Sequence, residues 1–147
     1  MNLFRLVTRT HALLIIFSTG ILSTYAFAEE NNAKYQIYVT VTNLLTPDRF
    51  SQNWPVHIYL AAPGSKIPLS SITTLLDELP FSSTLTEHNK VLPMFTLEGH
   101  KELVLVVKVS SSGDPHKQGP EDFRQVSQVI QLNSDNKASV NLNLIAE

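Results

Sequence analysis

The sequence predicts an all-β fold, an antiparallel β-sandwich of about seven short strands. Three observations predict it. Apolar and polar residues alternate with period two in several runs, turn-forming Pro, Gly, Asn and Asp separate these runs, and no helices alternate with them.

The chain opens with a segment that precedes this pattern. Arg5 and Arg9 give a positive start, residues 12–22 form an apolar run, and Ala26-Phe27-Ala28 has the small-x-small form of a cleavage site. Residues 1–28 therefore read as a signal peptide cleaved after Ala28, and the protein as exported and periplasmic. A retained anchor is the other reading, but the apolar run has eleven residues, against about 20 for a spanning helix. Residues 29–147 have the length of a single domain with a single core.

The strands follow in order. Tyr35, Ile37, Val39 and Val41 share one face of residues 35–42, with Gln36, Thr40 and Thr42 on the other. Residues 56–61 alternate similarly after Trp54-Pro55 and end at the turn signal Ala62-Pro63-Gly64-Ser65. Next comes an ambiguous stretch. Ile72, Leu75, Leu76 and Leu79 have helical spacing, but the interval between Pro68 and Pro80 holds only two or three turns. A strand over 67–72, a turn or single helical turn near Asp77 and a strand over 81–85 are expected instead. Residues 102–109 are a nearly unbroken aliphatic run, which suits a central strand covered on both faces. Residues 110–120 interrupt with Ser, Gly, Asp and Pro. Residues 123–132 alternate again, with the period slipping by one near Val129, and after a turn at 133–136 Ala138, Val140, Leu142 and Leu144 alternate to the end.

Composition excludes several classes of function. Removing residues 1–28 takes two of the 11 Lys and Arg and none of the 13 Asp and Glu, leaving a charge of −4, which argues against nucleic acid or an anionic membrane as partner. Membrane contact is expected only through partners. With no cysteine, the chain has no disulfide, thiol nucleophile or thiolate metal site, and its stability must come from apolar burial.

Certain residues carry a resemblance. Residues 56–61, followed by Ile67-Pro68-Leu69, Leu79-Pro80 and Val109-Ser110-Ser111-Ser112-Gly113, and then Pro120, Asp122 and Phe123, resemble the C-terminal periplasmic immunoglobulin-like domain of the cytochrome c-type biogenesis protein of the CycH kind. The resemblance runs from about Tyr35 to Ile145. It implies an immunoglobulin-like sandwich that holds or delivers apocytochrome c for haem attachment. Basic positions of that family fall here on Ala62 and near Thr73, and its acidic pair falls on Thr86 and Glu87.

Signals for chemistry are weak. His57, His88, His100 and His116 lie 31, 12 and 16 residues apart, without the spacing of a haem or zinc site. They read as solvated loop histidines, or, for His57, a half-buried packing residue. Ser110, Asp114 and His116 lack a nucleophile elbow, and the adjacent acids Asp77-Glu78 and Glu121-Asp122 point apart. No catalytic residue, cofactor, metal or small-molecule substrate is expected. The candidate contacts are for a polypeptide, either apocytochrome c or the haem-attachment machinery. They are Ser110, Ser112, Gly113, Pro120, Asp122 and Phe123 on the long loop, together with Met94 and Phe95, which form either an exposed apolar anchor or a plug closing one end of the core. Exposed sheet edges offer a second route, by strand addition. The rival reading is a docking component of an envelope or secretion complex unrelated to cytochromes.

Overall fold

The computed structural model describes residues 33–45 and 49–146. The leader expected over residues 1–28 lies outside the described residues. Eight strands are formed: β1 (Gln36–Asn43), β2 (Pro55–Ala61), β3 (Ser70–Leu75), β4 (Phe81–Thr86), β5 (Glu102–Val109), β6 (Phe123–Val126), β7 (Ile130–Gln131) and β8 (Lys137–Leu144). They build a three-stranded sheet ordered β4-β1-β8 and a five-stranded sheet ordered β3-β2-β5-β6, with β7 also on β5.

The expected sandwich is therefore present, with one departure from antiparallel pairing. β8 runs parallel to β1, from Gln36↔Lys137 to Asn43↔Leu144. The inward residues follow from the period-two pattern. Ile37, Val39 and Val41 of β1 meet Val56, Ile58 and Leu60 of β2 and Leu103, Leu105, Val107 and Val109 of β5 in one core. As its unbroken aliphatic run requires, β5 is buried on both faces. Val104 and Val106 on its outer side pack with Ala61 and Tyr59 in a second cluster.

One local expectation shifts. The strand expected over 67–72 lies at Ser70–Leu75, where Ile58↔Ile72 and Leu60↔Ser70 set its register on β2. The turn or single helical turn expected near Asp77 is present as one 3-10 turn, Leu76–Glu78, because strand pairing holds the chain extended up to Leu75. The Glu78 carboxylate accepts from the Thr74 hydroxyl and the Leu75 amide as the chain turns. The slip near Val129 is a bulge. Val106 faces Val126 and Leu103 faces Ile130, so the β6–β7 side carries one extra residue. There the Ser127 hydroxyl accepts the Leu105 amide at 2.9 Å while the Ser127 amide donates to the Leu105 carbonyl at 2.8 Å.

At one end of the sandwich Phe50, 1% exposed, stands edge-on to Trp54 and Phe123 with ring centroids 6.2 and 5.9 Å away. This aromatic group fixes the base of the loop that joins β5 to β6.

Candidate functional site

The loop over residues 110–122 is held by one buried ion pair. Lys108, on the outer face of β5, is 6% exposed, and its Nζ lies 3.3 Å from the Asp122 carboxylate. The ammonium also donates to the carbonyls of Asp114, Pro115 and Lys117, so the loop wraps over it. Asp122 in turn accepts from the Ser111 amide and hydroxyl, both at 2.8 Å, and from the Gly119 amide at 2.9 Å. Burial opposes its charge, but the Gly119 and Ser111 amides, the Ser111 hydroxyl and Lys108 outweigh that and hold the carboxyl at about 2.

This geometry sorts the candidate loop residues. Ser110 is fully buried, its amide donating to the Pro55 carbonyl and its hydroxyl to the Asp114 carbonyl. Asp122 shapes the loop from inside, and Phe123 packs against Phe50. Ser112, Gly113 and Pro120 lie at the surface, with Gly113 at φ +74°. Met94 and Phe95 divide between the two readings of them. Phe95 packs on the core, whereas Met94 is 76% exposed beside exposed Val91 and Leu92.

The histidines also separate. His57 lies on β2 beneath this loop, directly across from Lys108 of β5, and is 7% exposed. Its Nδ1 is 3.1 Å from the Thr73 hydroxyl, while its enclosed Nε2 has no hydrogen-bond partner. Burial first, and the Lys108 charge second, push its pKa below the ordinary value. A 170 Å³ hollow beside it is lined by Tyr59, Lys66, Ser71, Thr73 and His116 among others. The Asp114 carboxylate accepts the His116 backbone amide rather than its ring, so Ser110, Asp114 and His116 do not form a relay. No group of three or more metal-ligating side chains occurs among the described residues.

A second open feature lies between β8 and the β6–β7 bulge. A cleft of about 790 Å³ runs there over Ala138, Val140, Leu142 and Ile130, with Val126 and Val129 on its rim. Backbone alternation on β8 decides what the cleft offers. The Asn136 and Leu144 carbonyls accept amides of the β1 side, so even-numbered residues of β8 bond to β1. Odd-numbered residues face the other way. The Asn133 amide donates to the Lys137 carbonyl, and the Gln125 side chain donates to the Asn143 carbonyl at 2.7 Å. Between these two points the amides and carbonyls of Ser139 and Asn141 turn into the cleft, on an edge where no strand among the described residues pairs. Sequence alternation marks β8 as a half-buried strand, but which strands neighbour it, and so that it is an edge, is set by the fold.

Among the described residues no helix is long and apolar enough to cross a membrane. Comparison with curated proteins and with solved structures finds no match. Comparison with protein families does: the cytochrome c-type biogenesis protein H Ig-like domain matches residues 36–143, from the start of β1 to the penultimate residue of β8. On that match over most of its length, the chain belongs to the family of Ig-like domains of cytochrome c-type biogenesis protein H.

Proposed function

We propose that this chain is a non-catalytic, polypeptide-binding module of cytochrome c biogenesis, working in the periplasm, whose partner is apocytochrome c. The observation that carries the reading is the unpaired stretch of β8, where Ser139 and Asn141 turn backbone donors and acceptors toward an apolar-floored cleft. Such an edge binds extended backbone, which an unfolded polypeptide has and a folded one has already used in its own pairing. The residues that would support catalysis are spoken for: the Asp122 carboxylate and Lys108 ammonium are closed on each other, and the Ser110 hydroxyl is enclosed. A holding function fits this arrangement, because it needs a rigid scaffold with an open edge and no group poised for proton transfer.

The test is selectivity between unfolded polypeptides. The immobilised chain is offered apocytochrome c and an unrelated, permanently unfolded protein of similar length and charge. Retention of apocytochrome c with a Kd on the order of 1–100 μM and at least tenfold weaker retention of the control supports the assignment. Equal retention of both reduces the chain to a general binder of unfolded protein, and retention of neither overturns the reading.

A further inference from the structure

The edge of β8 carries more information than its openness, because the protein has already placed one group on it. The carboxamide of Gln125, from β6, donates to the Asn143 carbonyl at 2.7 Å and accepts from the Ile145 amide at 3.0 Å. One amide thereby satisfies the carbonyl and amide that flank Leu144, as the backbone of a neighbouring parallel strand would. Gln125 is a side chain standing where the next strand belongs. Toward the start of β8 the same edge is closed by the Asn133 side chain, which accepts the Lys137 amide at 2.8 Å. The free stretch between these two caps is short and centred on Ser139 and Asn141.

The chemistry of the walls is equally specific. The cleft is lined by Gln125, Val126, Ser127, Gln128, Val129, Ile130 and Gln131 on one side and by residues 138–142 on the other, and none of these carries a charge. Ala138, Val140 and Leu142 point toward the core side, while Ser139 and Asn141 point outward. A charged side chain brought against Val140 and Ile130 would lose its hydration with no counter-charge to meet it.

Resting on the polypeptide-binding reading, we propose that the occupant of this cleft is a short extended segment with aliphatic side chains at alternate positions and no charge on its inward face. It adds to β8 through the backbone of Ser139 and Asn141, and Gln125 is the placeholder that it displaces at the far end. The structure thus assigns both the class of segment recognised and the residue that limits the length of the new ladder.

The experiment uses amide-resolved NMR of the chain with three capped eight-residue synthetic peptides. One alternates Val and Ser, and the others replace its valines by Glu or by Lys. The Val-Ser peptide is expected to shift the amides of Ser139 and Asn141 and the side-chain amide of Gln125, and to slow hydrogen exchange at Asn141. The two charged peptides are expected to leave these signals in place. Asn141→Pro removes a donor that faces the cleft without removing a bond to β1, so it is expected to weaken binding at least tenfold while the β1 amides keep their protection. Gln125→Ala uncovers the Asn143 and Ile145 groups and is expected to tighten binding about fivefold, the scale of one net hydrogen bond. Shifts that map to residues 110–120 instead, equal binding of the charged peptides, or a Gln125→Ala variant of unchanged affinity would overturn the proposal. Apocytochrome c separates it from the broader reading. Binding of apocytochrome c without shifts at Ser139 and Asn141 removes the edge but keeps the partner; shifts with the Val-Ser peptide alone keep the edge and remove the partner.

Discussion

Asp122→Asn tests whether the long loop is a rigid part of the scaffold. The substitution keeps the shape of the side chain and an oxygen for Ser111, but turns an amide nitrogen toward donors, since Lys108 Nζ at 3.3 Å and the Gly119 amide at 2.9 Å both face the second carboxylate oxygen. Only 2% of the Asp122 side chain is exposed, so water cannot take over. A carboxyl held at about 2, against an ordinary 3.8, carries about 2 kcal/mol of charge-dependent stability. Stranding the buried Lys108 ammonium without its counter-ion adds to that, and breaking such pairs costs about 3–5 kcal/mol. The expected loss at pH 7 is therefore about 3 kcal/mol. Urea unfolding followed by tryptophan fluorescence reads it as a lower midpoint at unchanged slope, Trp54 serving as reporter. The sign with pH is fixed. Because folding lowers the Asp122 pKa, its contribution is complete above the unfolded value near 4 and is lost as pH falls toward 2. The difference between wild type and variant should hold from pH 7 to 5 and shrink below 4. A loss under 1 kcal/mol at pH 7, or a difference that does not change between pH 5 and pH 2, would refute the reasoning.

Other predictions concern the core, the buried histidine and the loop backbone. Phe50→Ala empties the position between Trp54 and Phe123 and should cost about 4 kcal/mol in chemical unfolding. His57→Leu removes an enclosed nitrogen with no partner, so stability at pH 7 should stay level or rise by about 1 kcal/mol. Folding lowers the His57 pKa through burial and the Lys108 charge, so the wild type should lose stability as pH falls below about 6.5, and parallel unfolding of the leucine variant at pH 7 and 5 should show that part of the slope abolished. Gly113→Ala should cost about 1 kcal/mol in thermal unfolding, because φ is +74° while the added Cβ would meet only Pro55 Cγ at an ordinary 3.8 Å.

The fold was legible wherever one face of a strand is buried and the other is wet, because alternation then writes the orientation into the sequence. The β1 and β8 runs are such cases. The unbroken run of β5 announced burial on both sides, and the slipped period near Val129 falls where the structure has its bulge. What alternation cannot encode is which strands are neighbours. The parallel pairing of β8 with β1, and so the free edge on its other side, depends on contacts between residues about a hundred positions apart. The helical spacing of Leu75, Leu76 and Leu79 is local, and pairing of β3 with β2 confines it to the single turn that the short interval between Pro68 and Pro80 allows. At the site, Lys108 escaped notice inside an aliphatic run. A lone lysine on a strand covered on both faces requires a buried partner, and Asp122, beyond the Pro- and Gly-containing loop, was the acid within reach.

We propose that the chain holds cytochrome c as an unfolded polypeptide through a sheet edge. Calorimetric titration of the chain with apocytochrome c, and separately with the folded, haem-loaded form, tests it most directly. The account predicts binding of the apo form with a negative heat-capacity change from apolar burial in the cleft, and at least tenfold weaker binding of the haem-loaded form. Equal affinity for the two forms would contradict it.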